Sequence, residues 1–204
     1  MALGLGSGRA VWRVVDLLGE RSLRGVRVAV ASERTRKRAV AAGLEVVELD
    51  GELRLDLTLD GADEIDPQLR LIKGGGGALL REKIVVAAAQ RFVVVAEAVK
   101  RVERLGEGFR LPVEVVRFAW RDTALRLGEL LSGPELRMEG EGPFLTDEGH
   151  HILDCPIPRS ADPDRLDVEL RRVPGVVEHG LFLGMAERAL LGTPDGEVEV
   201  LGPL

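Results

Sequence analysis

The chain has 204 residues, of which 45% are hydrophobic and 30% charged, and its formal net charge is −6; this composition is typical of a globular protein with one large domain or two small ones. The acidic balance argues against a nucleic-acid partner held by bulk electrostatics, because such a partner requires a basic face. The single cysteine, the lack of a signal-like start and the shortness of every apolar run lead us to expect a cytoplasmic protein without a membrane partner.

A glycine loop follows a short apolar segment at the start of the chain. The loop contains Gly4, Gly6, Ser7 and Gly8, and the apolar residues of the following segment, residues 9–18, recur at helical spacing. The pattern predicts the end of a strand, a loop and a helix. Backbone N–H groups at such a helix start can bind a phosphate, but an ordinary strand-to-helix turn explains the same pattern.

Strands and helices are predicted to alternate as far as Lys100. The strands are residues 26–31, 46–49, 55–59 and 92–96, and the helices are residues 33–42 and 78–89. Ser32 is a suitable N-cap for the first of these helices, and Gly43 is a suitable stop. This alternation indicates a parallel sheet covered by helices on both faces. Ligands of such sheets bind beyond the carboxyl ends of the strands, so the glycine loop, residues 60–63, the loop around Lys73 and residues 97–100 are expected at that edge.

Beyond Lys100 the pattern changes to short strands and two helices. The strands are residues 111–116, 136–139, 144–146, 151–154 and 176–178, and the helices are residues 123–131 and 164–171. This order predicts a smaller α+β domain, after which residues 189–192 and 198–201 return to the first domain. We therefore predict a larger first domain of residues 1–110 plus 186–204 and a second domain of residues 111–185.

Residues 60–83 contain an unusual concentration of charged residues and glycines. Asp60, Asp63 and Glu64 lie within five residues, and Lys73 precedes four consecutive glycines. Glycine loses backbone entropy on folding, so a plain loop would not normally need four together. Solvated turn carboxylates and a surface lysine are the simpler alternatives for Asp60, Asp63 and Lys73. We interpret the stretch as an active site.

Glu82 is predicted to lie one turn into the helix that follows the glycines. The expected buried side of this helix is Leu79, Leu80, Ile84, Ala87 and Ala88. Glu82 therefore need not point into bulk water, and a carboxylate in a partly dry pocket gains the basicity of a general base. Pairing of Glu82 with Arg81 or Lys83 on the helix surface is the alternative.

The histidines and the cysteine carry no predicted chemistry. His150 and His151 are adjacent in a strand and therefore face opposite sides, which makes them a poor pair of metal ligands. Cys155 lacks any local nucleophile pattern and is expected in the core. We expect no metal site.

Several stretches of the chain resemble ribose-5-phosphate isomerase, type A, and they run in the family's order. They are residues 57–64, 72–84, 111–115, 152–154, 174–182 and 192–196, of which the first two are long and specific. The resemblance implies an α/β fold with a Rossmann-like parallel-sheet domain and a smaller α+β, ferredoxin-like domain. It also implies a homodimer or homotetramer, no metal or organic cofactor, and interconversion of the phosphosugars ribose 5-phosphate and ribulose 5-phosphate.

The resemblance further implies roles for individual residues. Glu82 would move a proton between C1 and C2 through a cis-enediolate, and Asp60, Asp63 and Lys73 would line the reacting end. The wider substrate-binding set is Ser7, Gly8, Arg9, Ala10, Gly61, Ala62, Gly74, Gly75, Gly76 and Lys100. An ammonium group and glycine N–H donors suit the negative charge of an enediolate. Either Asp60 or Asp63 could assist opening of the sugar ring.

The start of the chain departs from the family's pattern in two ways. The family's first glycine loop usually reads G-x-G-T-G-S-T, whereas residues 4–10 read G-L-G-S-G-R-A and keep one hydroxyl, on Ser7. Arg9 could bind a phosphate bidentately or block its site. The chain also begins at the first strand, without the family's leading helix, so a truncated start or a shortened paralogue is expected.

These departures leave two other functions open. The chain could be a non-catalytic protein that binds a sugar phosphate, in which case calorimetry would detect ribose 5-phosphate binding without turnover. It could also be an isomerase or deaminase of another phosphosugar, which a panel of phosphosugars would reveal.

Overall fold

Strands and helices alternate along much of the chain, and the computed structural model describes residues 1–21, 23 and 25–203. The strands are Ala2–Leu5 (β1), Arg27–Val30 (β2), Glu45–Val46 (β3), Leu57–Asp60 (β4), Glu64–Ile65 (β5), Leu71–Ile72 (β6), Phe92–Glu97 (β7), Leu111–Val115 (β8), Glu135–Leu136 (β9), Met138–Glu139 (β10), Gly142–Pro143 (β11), His151–Cys155 (β12), Val176–His179 (β13), Leu181–Phe182 (β14), Arg188–Gly192 (β15) and Val198–Leu201 (β16). The helices are Arg9–Glu20 (α1), Glu33–Ala41 (α2), Leu79–Ala87 (α3), Trp120–Leu127 (α4) and Pro163–Leu170 (α5), and Ala98–Lys100 forms a 3₁₀ turn.

The chain divides into two compact units. The first unit comprises Met1–Ala62, Arg81–Lys100 and Gly184–Leu204, and the second comprises Asp63–Leu80 and Arg101–Leu183. The predicted division differs, because it assigned residues 63–80 and 101–110 to the first domain. These residues group with the second unit because β6 pairs with β14 and because Glu64 binds backbone N–H groups of residues 106–109.

The first unit is built on a sheet whose described strands follow the order β16-β15-β7-β4-β1-β2-β3. Every neighbouring pair is parallel except β15 with β16. The six parallel strands have the Rossmann order 3-2-1-4-5-6, as predicted. Since β1 lies between β2 and β4, the chain leaves β1 towards one side and later returns on the other. The carboxyl ends of β1 and β4 therefore mark the switch point at which such sheets bind ligands.

The helices of the first unit follow from local sequence signals. Val11 and Val15 lie on the buried side of α1 and join the apolar cluster of β1 and β2. Ser32 caps α2, because its hydroxyl accepts a hydrogen bond from the Thr35 N–H at 3.1 Å. Gly43, with a φ of +74°, stands just beyond the end of α2. The cap and the stop of α2 agree with the prediction.

Helix α3 buries a face that includes charged side chains. The predicted buried side is wrong for Ile84 and Ala87, which are exposed. The buried residues are instead Leu79, Glu82, Lys83, Val85 and Val86. Leu79, Glu82, Lys83 and Val86 have the i, i+3, i+4, i+7 spacing of one helical face. Glu82 therefore lies on the buried face itself.

The second unit contains an antiparallel sheet whose described strands follow the order β13-β8-β12-β9. With α4 and α5, the chain order is β-α-β-β-α-β and the spatial order is 4-1-3-2, which is the predicted ferredoxin-like arrangement. The predicted strand 136–139 is divided between β9 and β10. The predicted strand 144–146 is wrong, because the hairpin partner of β10 is β11, which ends one residue earlier.

The core of the second unit contains the cysteine. Cys155 is fully buried among apolar residues of β8, β12 and α5, as expected, and burial raises the pKa of its thiol to about 12. A thiol with so high a pKa is a poor nucleophile.

The two adjacent histidines contact different groups, although only His151 lies in a strand and the prediction placed both there. His150 pairs through Nδ1 with the Glu114 carboxylate at 2.9 Å, and His151 Nδ1 lies 3.4 Å from the Phe144 carbonyl oxygen. Within residues 1–21, 23 and 25–203, no group of three His, Cys, Asp or Glu side chains could hold a metal ion. In the same residues no helix has the length and apolar character needed to cross a membrane.

Glu114 is a buried carboxylate with a small hydrogen-bond network. Its side chain, on β8, is 1% exposed and accepts a hydrogen bond from the Thr146 hydroxyl at 2.9 Å. Burial raises the pKa of Glu114, and the hydrogen bonds from His150 and Thr146 oppose that rise. The folded protein therefore binds a proton at Glu114 more tightly than the unfolded chain does.

Replacing Glu114 with Gln should change how stability depends on pH. The raised pKa contributes stability that is complete below the ordinary value of 4.5 and is lost as pH rises through the folded-state pKa. Urea unfolding across this range should show the wild type losing unfolding free energy relative to Glu114→Gln as pH rises. Glu135→Gln is the control. The hydrogen bond from Arg110 lowers the pKa of Glu135, so this residue changes the stability of the protein only at pH values below about 4.5. Parallel curves for wild type and Glu114→Gln would contradict the raised pKa.

Candidate active site

Asp60 is fully buried at the carboxyl end of β4. Its Oδ1 accepts hydrogen bonds from the N–H groups of Gly61 at 2.7 Å and Ser7 at 3.2 Å. At Gly6, which follows β1, a Cβ atom would lie 1.8 Å from the Asp60 Cγ. Only glycine permits this close approach. The predicted glycine loop and the predicted aspartate therefore meet at the switch point of the sheet.

A chain of hydroxyl groups holds the glycine loop in place. The Ser7 and Ser32 hydroxyls are 3.1 Å apart, and Ser32 donates to the Thr35 hydroxyl at 3.0 Å. Thr35 donates in turn to the Gly6 carbonyl oxygen at 2.9 Å. Ser32 was predicted only as a helix cap, and Thr35 was not among the predicted site residues. The usable signal was a Ser-x-x-Thr pattern that directly follows a strand neighbouring β1.

The first turn of α1 presents backbone donors next to this loop. Gly8, with a φ of +100°, precedes the helix, and no side chain caps the N-terminus. The first N–H groups of a helix have no intrahelical acceptor, so they are suited to an anion. The Arg9 side chain is exposed, and Ala10 is half-buried. The uncapped helix start is suited to an anion, and phosphate binding at this loop stays a prediction.

Glu82 is 4% exposed in the first turn of α3. Its neighbour Arg81 donates a hydrogen bond to Glu33 at 3.1 Å. The alternative in which Glu82 is a surface residue is contradicted by its burial. Lys100 is half-buried at the end of the 3₁₀ turn that follows β7.

In the second unit, Asp63 is tied to the glycine run. The Asp63 N–H donates to the Ile72 carbonyl at 2.8 Å, and the Gly75 N–H donates to the Asp63 Oδ2 at 2.7 Å. A Cβ at Gly75 would lie 2.6 Å from the Asp63 Oδ1. Gly74 adopts a φ of +104°, a conformation that side chains rarely allow. The predicted acid and the predicted glycines are thus joined.

Lys73 is 2% exposed, which contradicts the surface-lysine alternative. Its N–H donates to the Gly180 carbonyl at 2.9 Å, and its Nζ lies 5.4 Å from the centroid of the Phe182 ring. A Cβ at Gly180 would lie 2.2 Å from the Lys73 carbonyl oxygen. The aromatic face stabilises the ammonium group where water is scarce.

Glu64 has a structural function that its local sequence does not predict. It is 2% exposed, and its carboxylate accepts hydrogen bonds from the N–H groups of Gly106, Gly108 and Phe109 at 2.6, 2.6 and 2.7 Å. These bonds occupy both carboxylate oxygens. Glu64 therefore anchors the loop that precedes β8, although it adjoins Asp63 in sequence.

The predicted site residues fall in both units. Residues of the first unit are Ser7, Gly8, Arg9, Ala10, Asp60, Gly61, Ala62, Glu82 and Lys100, and those of the second are Asp63, Lys73, Gly74, Gly75 and Gly76. The first group contains the buried carboxylates of Asp60 and Glu82, the second contains the buried Lys73, and both contain backbone N–H donors. Such a combination is suited to moving a proton while stabilising an anion.

Replacing Gly6 with Ala should destabilise the protein by about 1–3 kcal/mol, because the added methyl group has no space beside Asp60. Urea unfolding measures the change. Gly142→Ala is the matched control, since a Cβ there meets nothing within 4 Å. Equal unfolding free energies for the two variants would contradict the close approach of Gly6 and Asp60.

Known proteins and a protein-family model are similar to this chain over most of its length. Residues 27–196 match the model of the family described as ribose 5-phosphate isomerase A (phosphoriboisomerase A). A ribose-5-phosphate isomerase A of Roseiflexus sp. (strain RS-1) is 50% identical over 208 residues, which cover 100% of this chain and 89% of that protein. One from Rhizobium etli (strain CIAT 652) is 49% identical over 206 residues, which cover 96% of this chain and 88% of that protein.

Solved structures are similar along the whole chain. A ribose 5-phosphate isomerase A of Methanocaldococcus jannaschii is 36% identical with a TM-score of 0.92, and the match covers 100% of this chain and 91% of that one. A D-ribose-5-phosphate isomerase in complex with phospho-erythronic acid is 35% identical with a TM-score of 0.94 and the same coverage. The chain belongs to the ribose 5-phosphate isomerase A family.

Proposed function

We propose that this chain interconverts D-ribose 5-phosphate and D-ribulose 5-phosphate through a cis-enediolate, in the non-oxidative branch of the pentose phosphate pathway. The observation that carries the proposal is the burial of Asp60, Lys73 and Glu82 at positions that match the family's motifs. Burying three ionisable side chains is unfavourable unless charge pairing or hydrogen bonds compensate for the lost hydration, so their burial together favours a catalytic function.

Glu82 is the proposed base. Isomerisation removes the proton on C2 of the open-chain aldose; the electrons of that bond form a C1–C2 double bond, and the electrons of the carbonyl double bond move onto the oxygen at C1. A proton then passes from the C2 hydroxyl to the C1 oxygen, and the same carboxyl group returns the abstracted proton to C1, which leaves a carbonyl at C2 and yields the ketose. A carboxylate in a dry pocket is more basic than one in water, and Glu82 is 4% exposed.

Lys73 and the glycine run are proposed to stabilise the enediolate. Negative charge develops on the sugar oxygens as the proton leaves, and an ammonium group in a water-poor site stabilises it strongly. The N–H groups of Gly74, Gly75 and Gly76 belong to the same proposed group of donors. The solved relative with phospho-erythronic acid supports the proposed reaction, because a carboxylate and a cis-enediolate both spread negative charge over two oxygens.

Asp60 and Asp63 are proposed to act at the reacting end, where one of them assists ring opening. Each accepts backbone N–H hydrogen bonds that hold its carboxylate in a defined direction. Gly61 and Ala62 connect the two acids and are proposed to contact the sugar.

The phosphate is proposed to bind at Ser7, Gly8, Arg9 and Ala10, with Lys100 as a further cation. The uncapped start of α1 supports this assignment, because its N–H groups require an acceptor. Arg9 is exposed in the first turn, where a guanidinium can add to the attraction of the helix N-terminus for an anion.

The resemblance also leads us to propose a cytoplasmic homodimer or homotetramer that uses no metal or organic cofactor. A mass equal to one chain in sedimentation equilibrium would contradict the assembly.

Ribose 5-phosphate mixed with the wild-type protein should yield the ketose, followed by its absorbance or by a coupled assay. Glu82→Gln should lower kcat by about 10²–10⁴-fold, because the amide cannot accept the proton. KM should change much less, since the amide keeps the shape of the side chain.

Glu20→Gln is the matched control, because Glu20 is an exposed helical glutamate whose ion pair with Arg13 is 3.7 Å long. Its kcat should equal that of the wild type. An inactive wild type would refute the proposed function, and a loss confined to KM in Glu82→Gln would refute Glu82 as the base.

A further inference from the structure

We propose that Arg137, held by Asp154, is a positioning residue that fixes the glycine run and thereby the direction of the Asp63 carboxylate. The inference rests on the proposed function, because Asp63 is one of the proposed acids. Arg137 acts through the peptide groups of Gly74 and Gly75, whose carbonyl oxygens accept its hydrogen bonds.

The guanidinium of Arg137 makes hydrogen bonds in two directions at once. On one side, Nε donates to the Asp154 Oδ2 at 2.9 Å and Nη2 donates to the Oδ1 of the same carboxylate. On the other side, Nη1 donates to the carbonyl oxygens of Gly74 at 2.8 Å and Gly75 at 3.2 Å. A lysine ammonium could not reproduce this planar, forked geometry.

These carbonyl contacts determine where the loop N–H groups point. A trans peptide is planar, and its C=O and N–H point to opposite sides. Arg137 holds the carbonyl of the Gly74–Gly75 peptide, so the Gly75 N–H of that peptide points away, and it donates to Asp63 at 2.7 Å. Arg137 also holds the Gly75 carbonyl, which belongs to the Gly75–Gly76 peptide, so the Gly76 N–H likewise points away from Arg137.

A run of four glycines needs such a brace. Glycine has no intrinsic preference for one conformation, and ordering it is entropically unfavourable. The far end of the run is held by the same segment of chain: a Cβ at Gly77 would lie 2.3 Å from the Phe144 ring, and the Arg137 Cζ lies 5.8 Å from the centroid of that ring. The residues on either side of the β10–β11 hairpin therefore hold the glycine run from its start to its end.

Loss of the brace should affect the chemical step more than substrate binding. Without Arg137, the Gly75 N–H samples other directions and Asp63 loses its fixed hydrogen bond. Misplacing a reacting group by about 1 Å can lower a rate on the order of 10²-fold. We therefore expect Arg137→Gln to lower kcat by about 10–100-fold and to change KM by less than about 3-fold in either direction.

A double-mutant cycle with Asp63→Asn separates positioning from general damage. If Arg137 acts through Asp63, Arg137→Gln should lower kcat by less than about 3-fold in the Asp63→Asn background. Arg110→Gln is the matched control, because Arg110 pairs with Glu135 on the surface of the same unit and makes no hydrogen bond to the glycine run. Its kcat should stay at the wild-type value in both backgrounds.

Chemical rescue gives a second readout that lost stability would not produce. Gly75, Arg137 and Asp154 line an open cleft of about 610 Å³, so a small cation can enter it once the side chain is shortened. Millimolar methylguanidinium should raise the kcat of Arg137→Ala several-fold and leave that of Arg110→Ala unchanged. It should have no effect on Arg137→Ala when Asp63→Asn is also present.

The outcomes separate this inference from the proposed function. Equal losses of kcat in the two Asp63 backgrounds, together with no rescue, would overturn the positioning function while an active wild type upholds the isomerase. If the wild type itself is inactive, amide hydrogen exchange still tests whether Arg137 holds the glycine run. The Gly75 N–H should then exchange faster in Arg137→Gln than in wild type or Arg110→Gln. Unchanged exchange would overturn the brace.

Discussion

Hydrogen bonds from backbone N–H groups to carboxylates hold the structure around the candidate site. Asp60 is bound by the loop after β1, Asp63 by the glycine run, and Glu64 by the loop before β8. The three acids lie within five residues, yet each is bound to a different loop. A charged acceptor makes stronger hydrogen bonds than a neutral one, so these short side chains determine the paths of three loops. Of these three acids, only Asp60 and Asp63 are proposed to take part in the reaction.

Glycines supply the space that these contacts need. A side chain at Gly6 would overlap the Asp60 carboxylate, one at Gly75 would overlap Asp63, and one at Gly180 would overlap the Lys73 carbonyl. The glycines therefore let backbone approach charged side chains closely, in addition to making turns. Gly75 and Gly180 lie in stretches that carry the family resemblance, and this steric account explains why glycine stands there.

Local signals predicted much of the fold. The alternation of predicted strands and helices indicated the parallel sheet. The local sequence alone predicted the cap at Ser32 and the stop at Gly43. The buried face of α3 was missed because apolar residues such as Ile84 were expected inside, whereas tertiary contacts bury the charged Glu82 and Lys83. The grouping of residues 63–80 with the second unit was missed for a related reason: it depends on pairing with β14, far along the chain. The contacts of Glu64 and Arg137 likewise join segments that no local pattern connects.

The burial of lysines has a practical consequence for handling the protein. Of its four lysines, Lys73 and Lys83 are buried and Lys100 is half-buried, which leaves Lys37, on α2, as the exposed one. The twenty-four arginines do not react with common amine reagents. Coupling to an amine-reactive surface or dye would therefore proceed mainly through Lys37 and the terminal amine, and would attach nearly every molecule in the same few orientations.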